Sequence, residues 1–237
     1  MKLKIRRSED RGKAEHGWLH ARFSFSFANY FHPDHCGFHS LIVMNNDVIE
    51  PGSGFPTHPH QDAEIFTYVI RGKLEHKDSM GNGSVIDAGN LQYMSAGNGV
   101  QHSEFNPSST EQTELYQIWM QPQTVGGEPK YAEKPLDSTN LKNEIRLLFS
   151  KNGRGESTKI RQQADFYFGN LDAGKITNLQ PDPTLPHAWL QVISGEIMLE
   201  DYTLHTADGI GIENLDEEII LKTNKNTEFF LFRMATS

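Results

Sequence analysis

The stretch THPHQDAEIFTYVIRG, residues 57–72, places two histidines one residue apart at the start of a run of β-branched and aromatic residues. Side chains alternate between the two faces of a strand, so His58 and His60 share a face, about 7 Å apart along the chain. Two imidazoles in this arrangement can chelate a metal ion, whereas one buried histidine is more often a hydrogen-bonded core residue. Because two ligands leave a divalent ion undercoordinated, a metal site needs further donors.

A second pair of donors follows in LQYMSAGNGVQHSEFN, residues 91–106. His102 and Glu104 again share one face of a strand. Three imidazoles and one carboxylate can hold a first-row divalent ion and leave one or two positions open, which is typical of catalytic rather than structural sites. The sequence therefore predicts one metal site formed by His58, His60, His102 and Glu104.

Composition and charge narrow the classes of function. The 237 residues carry a formal net charge of -9, and the only basic cluster is the short KLKIRR near the start, which disfavours direct binding to nucleic acid or to an anionic membrane. The sequence contains no export signal and no apolar run of 18 residues, so we expect a cytoplasmic protein. The single cysteine, Cys36, excludes an internal disulfide and is interpreted as a small buried hydrophobe.

The pattern of strands and turns predicts an all-β protein. Four windows rich in aromatic and β-branched residues are typical of strands: 40–44, 64–70, 114–120 and 228–234. Glycine-containing turn segments separate them at short intervals, and helical periodicity is hard to find. The polar segment 124–144 contains glycine and proline without strand alternation, so it is interpreted as a connection between two halves.

An internal repeat supports two halves. VIRGKLE at 69–75 is echoed by VISGEIM at 192–198, and TELYQIWM at 113–120 by TEFFLFRM at 227–234. Chance similarity among apolar strands is the alternative explanation, but the order of the matches is preserved. The repeat predicts two related β-barrels in tandem, an N-terminal metal-binding domain over 1–123 and a C-terminal domain over 145–237, joined by 124–144.

The two histidine motifs resemble those of the cupins. The first cupin motif (G, HxH, E, G) is matched by Gly52, His58, His60, Glu64 and Gly72, and the second by Gly89, Gly97, His102 and Asn106, with Ser95 where cupins have proline. Several segments are similar to the pirin branch, and within it to the bacterial members described as quercetin 2,3-dioxygenases. These segments are GWLHARFSFSFANYF, THPHQDAEIFTYV, HKDSMGNG and MSAGNGVQHSEFNPS.

The resemblance implies a fold and a site. The fold is a bicupin, two tandem jelly-roll β-barrels, and the metal, usually iron, lies on the positions that correspond to His58, His60, His102 and Glu104. Fe(II) is the expected ion, although a site of three histidines and one carboxylate also accepts Cu, Ni, Co, Mn or Zn. Ile65 stands where many cupins have a glutamate ligand. Glu64 either orients a ligand or is a hydrogen-bonded strand residue, and we favour the second interpretation slightly.

The second half lacks the histidine motif. Aligned on Gly195, the positions of His58 and His60 become Pro181 and Pro183, and no HxE follows the DG at 208–209. The sequence therefore predicts a degenerate second domain without a metal site, in which His187 and His205 have structural or surface roles.

Two functions from different classes remain. The resemblance implies a metal-dependent dioxygenase that cleaves flavonols such as quercetin with O2 and releases carbon monoxide, with Glu104 as the base that deprotonates the flavonol hydroxyl. The alternative is an iron-binding, redox-sensing module that docks on a protein partner, for which the same four ligands would serve.

Other conspicuous residues have simpler interpretations. His35 and His39 are predicted to lie in a loop and at a strand edge. Phe23, Phe25 and Phe27 alternate with serines, which indicates a half-buried strand, with stacking on a flavonoid as the alternative. The tryptophans are interpreted as core residues: Trp18, Trp119 and Trp189.

Overall fold

The computed structural model describes residues 1–136 and 141–236, and nearly all regular structure in them is β. The first twelve strands are β1 (Lys2–Arg6), β2 (Gly12–Glu15), β3 (Leu19–Phe23), β4 (Leu41–Ile49), β5 (Gly54–His60), β6 (Glu64–Arg71), β7 (Lys73–Asp78), β8 (Gly83–Asp87), β9 (Asn90–Ser95), β10 (Val100–Phe105), β11 (Thr113–Met120) and β12 (Lys130–Pro135). The remaining ten are β13 (Glu144–Ser150), β14 (Thr158–Lys159), β15 (Ala164–Leu171), β16 (Ile176–Leu179), β17 (His187–Ser194), β18 (Glu196–Leu199), β19 (Tyr202–His205), β20 (Gly209–Glu213), β21 (Ile219–Thr223) and β22 (Thr227–Met234).

Helical structure in the described ranges is confined to one 3-10 turn, Arg154–Glu156, and no helix there has the length and hydropathy needed to span a membrane. The strands divide into two compact units. The N-terminal unit runs from Gly12 to the gap at 137–140, and the C-terminal unit combines Met1–Arg11 with the chain after the gap.

The N-terminal unit is a sandwich of two antiparallel sheets. The large sheet has the order β12-β9-β6-β11-β4-β3-β2 and the small sheet the order β5-β10-β7-β8. Apolar residues of the large sheet, such as Val69 and Leu115, pack with Leu74 and Ile86 of the small sheet, so a core lies between the two sheets. Burial of these side chains is the main force that holds the sheets together.

The C-terminal unit repeats this arrangement. Its large sheet has the order β1-β20-β17-β22-β15-β13-β14 and its small sheet the order β16-β21-β18-β19. The predicted all-β fold with two tandem jelly-roll domains is confirmed, although the sheets of each unit stay separate rather than closing into one barrel.

One glycine in each repeat shows that the units share a backbone design. Gly72 has a φ of 79° and Gly195 a φ of 94°, both in the left-handed region that favours glycine. A Cβ on Gly72 would lie 2.7 Å from the carbonyl oxygen of Gln112, just before β11, and a Cβ on Gly195 would meet Asn226, just before β22. The equivalent turn therefore packs against the start of the equivalent strand in each unit, β11 in one and β22 in the other.

The boundaries of the units differ from the predicted domains in two places. The segment 124–144, expected to be a connection without strands, contains β12, which pairs with β9 from Lys130↔Ser95 to Pro135↔Asn90. The first residues belong with the other unit, because β1 pairs with β20. Neither strand belongs to the predicted windows: β12 is a largely polar edge strand, whereas β1 is short but alternates polar and apolar residues (KLKIR).

Three predictions about individual side chains are wrong. Cys36 is exposed, not buried, because it lies in the loop between β3 and β4. The strand expected over the FSFSF run ends at Phe23, so Phe25 and Phe27 lie in that loop. Trp189 is buried in the core as predicted, whereas Trp18 and Trp119 are only partly buried and line a cavity.

Candidate metal centre

Three of the four predicted ligands come together on the small sheet of the N-terminal unit. His58 on β5 lies directly opposite His102 on the neighbouring strand β10, and His60 lies two residues further along β5 on the same face. The ring centroids are 4.5 Å apart for His58 and His102, 4.8 Å for His58 and His60, and 4.9 Å for His60 and His102. One ligand atom from each ring lies within 4.8 Å of the other two.

The chemical state of these rings suits metal binding. Burial is the main cause that lowers the pKa of His60 to about 4 and that of His102 to about 2, and the neighbouring imidazoles lower both further. His60 and His102 are therefore neutral at pH 7, which is the ligand form of histidine. The His58 Nδ1 lies 2.8 Å from the carbonyl oxygen of Pro56, so donation of this N–H leaves Nε2 available as the ligand atom.

The His102 ring lacks a hydrogen-bond partner. Its side chain is 2% exposed, and neither ring nitrogen has a hydrogen-bond partner in the described part of the chain. Buried polar atoms are nearly always satisfied, because an unmade hydrogen bond costs free energy. A divalent cation bound between the three rings would satisfy one of these nitrogens, so the residues present fit a metal ion.

The fourth predicted ligand, Glu104, lies beside the histidines but outside the group of three. Its carboxylate accepts a hydrogen bond of 3.2 Å from Thr67 Oγ1 and one of 2.8 Å from Gln117 Nε2. Burial raises the pKa of Glu104 to about 7, although both hydrogen bonds oppose this shift. The pairing of β10 with β5 is irregular here, because two steps along β10, from His102 to Glu104, face three steps along β5, from His58 to Phe55.

Glu64 is a hydrogen-bonded strand residue. Its two carboxylate oxygens accept hydrogen bonds from Tyr93 Oη at 2.6 Å and from Ser95 Oγ at 2.5 Å. Both partners lie on β9, the neighbour of β6, so this carboxylate links two strands of the large sheet. These contacts support the interpretation that we favoured from the sequence.

A cavity of about 460 Å³ opens onto the candidate ligands. Its volume lies within the range of pockets that bind small molecules. The Trp119 ring lies edge-on to His60 at 4.8 Å and to Phe27 at 5.6 Å, so the cavity wall continues directly from the imidazoles. The aromatic residues that line it are Trp18, Phe23, Phe27, Phe55 and Trp119. Phe23 and Phe27 therefore line a cavity, and their stacking on a flavonoid stays a prediction.

Sequence patterns did not identify every residue around the site. His76 on β7 is fully buried, its ring centroid lies 5.3 Å from that of His102, and it stacks on Tyr131 at 5.1 Å. Thr67 and Gln117, which donate hydrogen bonds to Glu104, are polar residues flanked on both sides by apolar residues in the strands EIFTYVIR and TELYQIWM. A buried polar residue within such a strand was the available signal.

The C-terminal unit has aliphatic residues at the equivalent positions. Leu199 corresponds to His76 in the internal repeat. Because Leu221 pairs with Leu199 and Glu104 pairs with His76, Leu221 corresponds to Glu104. Ile219 then corresponds to His102, and its partner Leu179 to His58. The predicted equivalence of His58 and His60 with Pro181 and Pro183 is therefore displaced by two residues, because both prolines lie beyond the end of β16.

The two histidines of this unit that were predicted to have structural or surface roles each lie beside a glutamate. His187 is buried, and its Nδ1 lies 2.9 Å from Glu213 while its Nε2 lies 3.1 Å from Thr236. His205 is exposed and lies 3.2 Å from Glu196.

Comparisons with known proteins agree with this architecture. The family model Pirin matches residues 4–120, and the model described as quercetinase C-terminal cupin domain matches residues 147–234. Quercetin 2,3-dioxygenase of Escherichia coli (strain K12) is 41% identical over 230 residues, which cover 96% of each chain. A pirin-like protein of Caulobacter vibrioides is 37% identical over 215 residues, which cover 90% of each chain.

Solved structures give the same result. The crystal structure of the bacterial pirin YhhW from Escherichia coli in complex with nickel(II) has a TM-score of 0.94 at 38% identity, and the match covers 100% of both chains. A quercetin 2,3-dioxygenase from Acinetobacter baumannii, at 20% identity and a TM-score of 0.73, shares the fold.

Proposed function

Because the chain belongs to the pirin family of cupins, we propose that it is a metal-dependent dioxygenase that cleaves flavonols such as quercetin with O2 and releases carbon monoxide. Its relatives confirm the predicted family and the general class of cupin dioxygenase. The observation that carries the proposal is the convergence of three imidazoles at one end of an aromatic cavity.

The metal would be held by His58, His60 and His102, with the Glu104 carboxylate as the fourth ligand. Fe(II) is the proposed ion; the nickel in the YhhW structure supports a site for divalent first-row metals in general. When bound, such an ion supplies a positive charge that lowers the pKa of a coordinated hydroxyl, together with open coordination positions for reactants. Aliphatic residues at the equivalent positions of the C-terminal unit support a single metal site in the N-terminal unit.

The chain itself orients the substrate and moves one proton. The aromatic walls contact a flat ring system and exclude water. The Glu104 carboxylate accepts the proton of the flavonol hydroxyl, because it lies at the same end of the cavity as the three histidines. Thr67 and Gln117 fix the position of this carboxylate.

Aerobic turnover of quercetin tests the proposal. The metal-reconstituted protein should consume the flavonol, seen as loss of its absorption band, and release carbon monoxide. Glu104→Gln should abolish turnover while circular dichroism shows an intact fold; undiminished turnover would refute the role of Glu104. Failure to turn over with iron, copper, nickel, manganese and cobalt would favour the iron-binding redox sensor with a protein partner, and a cytoplasmic location stays a prediction under either function.

A further inference from the structure

We propose that Asn45 is a specificity-determining residue, whose side-chain amide hydrogen-bonds a second hydroxyl of the substrate, away from the hydroxyl at the metal. This inference rests on the proposed function and extends it to the substrate class, which is a polyhydroxylated flat aromatic molecule. The evidence is the position of Asn45 in the cavity wall and the missing partner of its amide oxygen.

Asn45 lies on the cavity wall that belongs to the large sheet. It is in the middle of β4, where it pairs with Gln117 of β11 on one side and Phe23 of β3 on the other. Directly paired residues share a face, so all three point into the cavity, and each lines it. Gln117 donates to Glu104, and neighbouring strands are about 5 Å apart, so Asn45 is one strand further from the candidate metal site.

The Asn45 amide oxygen has no hydrogen-bond partner in the described chain, although the side chain is only 2% exposed. Two other buried amides of this unit, those of Gln117 and Asn106, have partners. Gln117 donates to Glu104 at 2.8 Å, and Asn106 donates to two backbone oxygens and accepts from the Ser108 N–H at 3.0 Å. An unpartnered buried amide that faces a ligand cavity is a group that a ligand can satisfy.

The partner chemistry follows from the amide and its surroundings. A hydroxyl group both donates and accepts, so it can pair with the amide in either orientation of the side chain. The neighbouring wall residues Phe23, Val43 and Trp119 offer apolar contacts and suit a flat ring. A molecule with one hydroxyl at the Glu104 end and another on a separate part of its ring system satisfies both polar groups.

Anaerobic binding of two flavonols to the zinc-loaded protein tests the inference, because zinc is redox-inert and dioxygen is absent. Quercetin carries several hydroxyls, whereas 3-hydroxyflavone carries only the one that would reach the metal. Binding is measured by quenching of tryptophan fluorescence, since Trp18 and Trp119 line the cavity. Asn45→Leu, which keeps the size but removes the amide, should weaken quercetin binding about five- to tenfold and leave 3-hydroxyflavone binding unchanged.

A control separates hydrogen bonding from packing. Val43 lies two residues along β4 on the same face, so Val43→Ala should weaken both flavonols by the same factor. Asn45→Ala is the second variant if Asn45→Leu fails to fold, and it should show the same dependence on the ligand. Equal effects of the Asn45 variants on both flavonols, or no effect on either, would overturn the inference.

Failure of the proposed function gives a different result. Suppose that the wild type binds quercetin more tightly than Asn45→Leu does, but turns over no flavonol in air. This result would refute the dioxygenase and support the hydrogen bond between Asn45 and the substrate. Turnover in air combined with an unchanged preference in Asn45→Leu would refute only the inference. A wild-type protein that binds neither flavonol would overturn both.

Discussion

Replacing Glu104 by glutamine should make the metal-free protein less sensitive to alkaline pH. The wild-type carboxyl is buried, and its folded-state pKa of about 7 is above the ordinary value of 4.5. The folded state therefore holds a proton on Glu104 more tightly than the unfolded state does. This contribution to stability is fully present below pH 4.5 and is lost as the pH rises through 7.

The magnitude follows from the pKa difference. The difference is about 7 minus 4.5, or about 2.5 units, and each unit corresponds to about 1.4 kcal/mol. Between pH 5 and pH 8 the wild type should lose roughly 2.5 kcal/mol of unfolding free energy relative to Glu104→Gln. Glutamine also disturbs the hydrogen bonds from Thr67 and Gln117, which shifts stability by about 1 kcal/mol at every pH.

Urea denaturation in the presence of a chelator measures this difference. The two proteins are unfolded at pH 5, 6, 7 and 8, and the free energies are compared at each pH. His60 and His102 titrate in both proteins, so their contributions cancel in the comparison. A difference between wild type and variant that stays constant from pH 5 to pH 8 would refute the assignment of a buried, proton-holding carboxyl.

Two further predictions concern the metal and the backbone. His58→Ala should reduce the amount of bound metal at least tenfold, measured by elemental analysis after reconstitution with one equivalent of iron(II). His205 is exposed and lies outside the site, so His205→Ala should bind as much metal as the wild type does. Equal metal contents in the two variants would contradict the site. Gly72→Ala should lower the unfolding free energy by roughly 2 kcal/mol or more, since its Cβ would approach the Gln112 carbonyl. Gly52→Ala has a similar φ of 67° but open space around it, so its loss should be smaller, and a larger loss there would contradict the steric argument.

Local pattern was enough to predict most of the fold and the three histidines that the structure brings together. Alternation along a strand places His58 and His60 on one face, and the same rule applies to His102 and Glu104. The repeat around Gly72 and Gly195 indicated the duplicated architecture, because a left-handed turn packed against a strand requires glycine in both copies. These features depend on residues close together in the sequence.

Register between distant strands was harder to predict. The alignment on Gly195 made Pro181 the equivalent of His58, but the pairing of β16 with β21 shows that Leu179 is the equivalent residue. The strand β12 escaped detection because an edge strand is held by backbone hydrogen bonds to β9 and needs little apolar character. Exposure of Cys36 likewise depends on the path of a loop, which local composition does not determine.

The sequence by itself determined that the chain is a duplicated β-fold with donors for one metal ion, since strand periodicity and donor spacing are local properties. Only the tertiary structure decided how the site works chemically. Thr67, Gln117 and Asn45 belong to the sheet opposite the histidines, and they are separated from Glu104 by 13 to 59 residues. The hydrogen bonds from Thr67 and Gln117 to Glu104, the burial that raises the pKa of Glu104, and the open amide of Asn45 exist only when the two sheets pack face to face.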